Sequence, residues 1–143
     1  MTAHSPPRRW SDDLDGIRWL PRLIDKAKMD SGGALGAYLF GHSPIDRALL
    51  ERLGVTTAQF AAIVAASPDD AAVLSALRAR GFDDARVRRW SDRLPAPYQV
   101  FIRIIDVDDG YVAPSAFVGL FLKAFRAVEH GLMSFVRRIS PAP

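Results

Sequence analysis

The stretch Trp19-Leu20-Pro21-Arg22-Leu23-Ile24-Asp25-Lys26-Ala27-Lys28 decides the fold class. Pro21 suits a first helical turn, where a missing N–H costs nothing. Leu20, Leu23, Ile24 and Ala27 recur at the three- and four-residue spacing of one helix face. Arg22 and Lys26 lie four apart on another face, with Asp25 three from Arg22. One reading is a solvated face carrying an exposed ion pair, worth ~0.2–1 kcal/mol. The other is an anion or carboxylate site, with Arg22 as a planar fork and Lys26 as a point charge. Spacing alone favours the solvated face.

A length of 143 residues suits one domain with a sizeable core. The apolar fraction of 49% and charged fraction of 24% are those of a globular chain. Without cysteine there is no disulfide framework, thiolate nucleophile or Cys-type zinc site, which fits a cytoplasmic protein. The start, Met1 to Arg9, lacks the apolar core of a secretory signal. No stretch reaches the ~18 apolar residues that span a membrane. Net charge is +3, and its excess comes from Lys123, Arg126, Arg137 and Arg138 against Glu129. No basic stripe interleaved with stacking aromatics appears, so nucleic acid is not an expected partner. The 16 Arg against 3 Lys, and 14 Asp against 2 Glu, carry no functional message.

Working outward, residues 1–10 read as a flexible arm that Trp10 pins to the body. Ser11-Asp12-Asp13-Leu14 reads as a short helical turn ended by Gly16, and the principal helix runs to about Met29 before Ser31-Gly32-Gly33. Ala34 to His42 is apolar but irregular, the kind of backbone that lines a pocket. Ser43-Pro44-Ile45-Asp46 starts a helix, with Asp46 completing a capping box, and Gly54 stops it. Thr56 with Gln59 starts the next, Ser67-Pro68-Asp69-Asp70 repeats the signal, and Asp83 caps another that ends before Leu94-Pro95-Ala96-Pro97.

Tyr98 to Asp106 has strand propensity but reads as helix, since a lone strand would lack a partner. Asp106 to Gly110 is a turn; it has the front of a calcium loop without the closing Glu. Pro114-Ser115 opens the longest helix, to about Arg138, with a stripe of Phe117, Leu120, Phe121, Ala124, Val128, Leu132 and Phe135. That stripe suits the core first. A homodimer contact over residues 117–136 comes second, and a membrane surface is the least favoured. The expected fold is therefore all-α: one domain over residues 11–139, short helices packed against a long C-terminal helix, with a tail at 140–143.

Of three histidines, His4 lies in the arm, His130 in the long helix, and His42 in the irregular segment near Tyr38. No H-E-x-x-H, phosphate loop or nucleophile elbow is present, so no metal or cofactor is expected.

The runs Trp19 to Ala27, Leu35-Gly36-Ala37-Tyr38 and Ser43-Pro44-Ile45-Asp46 resemble an uncharacterised bacterial family of small helical proteins, a domain of unknown function. Its pattern reads L-P-R-L-I-D-K-A-R, L-G-E-Y and C-P-L-D, with a later tryptophan near Trp90. The likeness is close over residues 17–54 and looser to about 94. The family's Glu is Ala37 here and its Cys is Ser43, so any chemistry those two carry in relatives is done differently here or not at all. The resemblance implies a helical fold and no established activity.

Arg22, Asp25, Lys26, Tyr38 and Asp46 match the family's polar positions. Polar groups among apolar neighbours must be paired or used. As a pocket, Arg22, Lys26 and Trp19 bind a substrate carboxylate, while Asp25 or Asp46 moves a proton with Tyr38 or His42 beside it. As a network, the same groups join the first helix to the start of the Ser43 helix. The first function expectation is a small cofactor-independent enzyme acting on a small organic anion by acid–base chemistry, as lyase, isomerase or hydrolase. The alternative is a non-catalytic helical interaction or dimerisation module using residues 117–136.

Overall fold

Asp15-Gly16 sets the first regular element. The computed structural model describes residues 5–111. Within them β1 (Asp13–Leu14) and β2 (Ile17–Arg18) pair antiparallel, Asp13 opposite Arg18 and Leu14 opposite Ile17. Asp15 and Gly16 both have positive φ, 50° and 81°. A two-residue hairpin loop needs two such residues in succession, and Asp-Gly supplies them. The helical turn expected at Ser11–Leu14 is therefore a hairpin: four residues carry no helical period, and the turn chemistry wins. Asp15 accepts from Arg78 (2.6 Å) and Arg88 (3.1 Å), which ties the hairpin tip to two later helices. The Arg78 hydrogen bond, with the charge of Arg88, holds the Asp15 carboxyl below its ordinary range.

Trp19 then takes a left-handed conformation (φ 71°, ψ −25°) and turns the chain from hairpin into helix. For an L-residue this costs roughly 1–2 kcal/mol. Its N–H donates to the Trp10 carbonyl (3.1 Å) and its carbonyl accepts from Leu23 (2.9 Å). Trp10 does fasten the chain, through its backbone.

Helix α1 (Leu20–Ser31) has Pro21 in its first turn and buries Leu20, Leu23, Ile24 and Ala27, the expected face. It also buries Arg22 and Lys26, at 2% and 3% exposure, so the solvated-face reading fails. Ser43 caps α2 (Pro44–Leu53), its hydroxyl accepting from Asp46 N at 3.1 Å. The carboxylate of Asp46 does not return the favour to Ser43, so the expected capping box is only half formed. At the other end Gly54 N bonds to Glu51 O and Val55 N to Leu50 O, a left-handed stop that only glycine reaches at little cost.

Thr56 and Gln59 cap α3 (Thr57–Ala66) reciprocally. Asp69, not Ser67, caps α4 (Asp70–Ala79), because Ser67 is already the C-terminal cap of α3. Asp83 caps α5 (Asp84–Asp92). Helix α1 packs on α3 and α3 on α4, while α5 lies against β2 and α2. Ile17, Trp19, Leu23, Ile45, Leu49 and Phe60 are all but fully buried in this core. Each such side chain is worth about 1.5–3 kcal/mol against exposure.

The chain divides after Leu94 into two compact units. In the second, α6 (Pro95–Asp108) is helical, as expected for residues 98–106, and bends at Tyr98 (φ −119°, ψ 19°), just past two prolines. The helix expected over 114–138, the dimer face at 117–136 and the tail at 140–143 lie outside the described residues. The all-α expectation becomes a mostly helical fold with six described helices and one small hairpin. No described helix is long and apolar enough to cross a membrane.

Gly41 (φ 80°) is pressed against α3: a Cβ there would collide with the Thr57 side chain. Gly36 shares the left-handed backbone (φ 59°) but faces open space. Gly36→Ala is expected to cost ~1–2 kcal/mol in urea denaturation from backbone strain alone. Gly41→Ala should cost distinctly more, and equal costs would refute the close approach.

Candidate functional site

Asp46 sits in the first turn of α2 with no exposed surface. Its Oδ1 accepts from Trp19 Nε1 at 2.7 Å and from Lys26 Nζ at 2.6 Å. Its Oδ2 accepts from the same Nζ at 2.6 Å and from Gly41 N at 3.0 Å. A carboxylate has about four acceptor directions, and all four are filled from within the protein. Each donor has a local reason to be there. Trp19 is swung inward by its left-handed backbone. Lys26 lies almost two turns further along α1, on the buried side. Gly41 can approach because it has no side chain.

Two cations rest on the aromatic surface around this pair. Lys26 Nζ is 5.3 Å from the Trp19 ring centroid. The Arg22 guanidinium carbon is 5.3 Å from Trp19 and 5.7 Å from Tyr38, which places a planar cation between two rings. Arg22 Nη1 also donates to the Arg8 carbonyl at 3.1 Å.

Asp25 looks the other way. Its Oδ2 accepts from Arg8 N (2.8 Å) and Arg8 Nε (2.9 Å), and its Oδ1 from Arg8 Nη2 (2.9 Å). Arg8 Nη1 reaches Asp70 on α4 at 2.5 Å. One arginine, within the segment expected to be a flexible arm, thus clamps α1 to α4. The hydrogen bond to Asp25, ahead of that to Asp70, holds its guanidinium above its ordinary range against partial desolvation.

Among the residues expected to form a site, the structure joins Trp19, Lys26 and Asp46 directly, Arg22 through the Trp19 ring, and Tyr38 through Arg22. Asp25 is three residues from Arg22 in sequence, yet it takes Arg8 as partner. His42 is half-buried in the segment before α2. Sequence reasoning missed Arg8 and the Gly41 amide. The pairing of Arg8 spans 17 residues to Asp25 and 62 to Asp70, beyond any local pattern. For Gly41 there was a faint signal, a glycine two residues before the Ser43 cap. No group of three or more His, Cys, Asp or Glu among the described residues is placed to hold a metal ion.

A family model described as a domain of unknown function (DUF5069) matches residues 4–110. No curated protein and no solved structure matches the chain.

Removing one partner of a buried ion pair strands the other charge and typically costs about 3–5 kcal/mol. Asp46→Asn and Lys26→Met are each expected to destabilise on that scale in urea denaturation. The double variant Lys26→Met/Asp46→Asn leaves no charge and keeps one acceptor oxygen, for Trp19 or for Gly41 but not for both, because the two donate to opposite oxygens of Asp46. It should therefore be more stable than the sum of the single losses predicts. Additive losses would show that the two residues do not depend on one another.

Proposed function

The chain belongs to the DUF5069 family, a membership that brings no activity with it, and on that premise we propose that it is a non-catalytic helical binding module built around a sealed ion pair. The observation that carries this reading is the state of Asp46. A general base must come within ~2.6–3.2 Å of the proton it takes. Asp46 has no exposed surface, and its acceptor directions are occupied by Lys26, Trp19 and Gly41. Lys26 in turn spends its charge on Asp46, and Asp25 holds Arg8 through both oxygens. The groups that would bind a substrate carboxylate and move its proton are those that hold α1, α2 and α4 together. Partner recognition then falls to the surface. The amphipathic pattern over 117–136 is one candidate contact for a second copy.

The enzyme reading, cofactor-independent acid–base chemistry on a small organic anion, keeps one observation in its favour. Tyr38 and His42 are only partly buried, on an irregular segment beside Arg22.

A panel of small carboxylates and phosphates incubated with wild type, followed by proton NMR, separates the two. Binding or no effect, with every compound recovered unchanged, is expected. Turnover that Asp25→Asn or His42→Gln abolishes while the protein stays folded would overturn the module in favour of the enzyme.

A further inference from the structure

The C-terminal ends of α2 and α4 meet at a shallow, solvent-open cavity of about 340 Å³ lined by Arg52, Leu53, Gly54, Arg80, Gly81 and Phe82. Its size lies at the lower end of the range for small-molecule sites, ~300–1,000 Å³. Gly54 (φ 69°) and Gly81 (φ 85°) end their helices in left-handed backbone and leave this part of the wall free of side chains. Phe82 contributes a half-buried aromatic surface.

The two arginines differ in how they are held. Arg52 donates through Nη1 to the Ala48 carbonyl at 2.9 Å, and its guanidinium carbon is 5.1 Å from the Trp90 ring centroid. It is oriented by these contacts but keeps four of its five N–H donors for other uses. Arg80 is exposed and its side chain has no ion pair or hydrogen bond among the described residues. Neither arginine has a carboxylate partner there. By contrast Arg8, Arg78 and Arg88 are all committed to aspartates. Asp83, next to Phe82, is occupied in capping α5.

The lining itself therefore carries two cations, one of them a pre-oriented fork, and an aromatic wall. Arginine forks suit phosphate oxygens, and a ring suits Phe82.

We propose that this cavity binds a nucleotide-sized phosphate monoester, with Arg52 and Arg80 on the phosphate and Phe82 against the ring. This rests on the reading of the chain as a binding module and names its ligand class. The helix C-termini add carbonyl acceptors of negative character, which disfavour a bare anion and favour a ligand that also brings N–H or O–H donors. A nucleotide does so; inorganic phosphate does not bring the ring.

The test is isothermal titration of the full-length chain with adenosine 5′-monophosphate, adenosine and inorganic phosphate. The same titrations are made on Arg52→Gln, Arg80→Gln and Phe82→Leu, with Arg103→Gln as a control outside the cavity. Saturable binding of the monophosphate is expected, weakened about tenfold or more by each cavity variant and unchanged in the control. The exposed Arg80 side chain makes no hydrogen bond or ion pair among the described residues, so Arg80→Gln remains decisive even if Arg52→Gln fails to fold. Adenosine and phosphate should each bind at least about tenfold more weakly than the monophosphate.

No saturation by the monophosphate at about 5 mM would overturn the assignment. So would equal binding of inorganic phosphate, or insensitivity to Arg80→Gln. Any of these with no turnover leaves the module reading in place. Binding at the cavity followed by hydrolysis of the monophosphate would keep the cavity and overturn the non-catalytic reading.

Discussion

Lys26 and Asp46 are a charge pair with almost no contact with water, and the first half of the chain is arranged to make that tolerable. Taking two ions out of water costs several kcal/mol each, and their attraction offsets it only when the remaining donors and acceptors are satisfied. Here the carboxylate is satisfied by Trp19 and Gly41 as well as Lys26. Three segments that are remote in sequence are therefore held to one geometry: the start of α1, the irregular stretch ending at Gly41, and the first turn of α2. An apolar trio of similar volume would pack there without demanding a particular alignment. The ion pair does demand one, because a displaced partner leaves a buried charge.

The strained features of the backbone follow from this demand. Trp19 adopts positive φ although it is bulky, and its indole N–H reaches Asp46. Gly41 adopts positive φ and lies too close to Thr57 for any Cβ. The cost of the first is met by burying a whole indole and making its hydrogen bond; the second is nearly free for glycine. Arg22, between Trp19 and Tyr38, extends the same packing to the segment after α1, and Arg8 extends it to α4 through Asp25 and Asp70. Charged residues are thus used inside this domain as cross-links.

That use bears on function. Groups that close a core cannot also be offered to a ligand, which moves attention to charges that the fold leaves unspent. Arg52 and Arg80, at two helix ends, are of that kind. The division is visible among the arginines themselves. Arg8, Arg78 and Arg88 each face an aspartate and fix elements relative to one another, whereas Arg52 and Arg80, with no carboxylate partner among the described residues, line a cavity.

Local chemistry was legible in the sequence. Ser43, Thr56 and Asp83 cap the helices they were expected to cap, Gly54 ends one, and Pro21 opens α1, because these effects act within four residues along the chain. Asp15-Gly16 is equally local hairpin chemistry, and it overrides the helical turn that Ser11 to Leu14 suggests. What the sequence determined alone, then, is where helices start and stop, which apolar face α1 buries, and which polar residues stand among apolar ones. Only the tertiary structure decided that Asp46 turns inward to Lys26 instead of closing its own cap, that Asp25 takes Arg8 over its neighbour Arg22, and that Arg52 and Arg80 share a cavity. The reason is physical. Charges choose partners by distance in space and by what burial makes costly, and both are set by how distant segments pack.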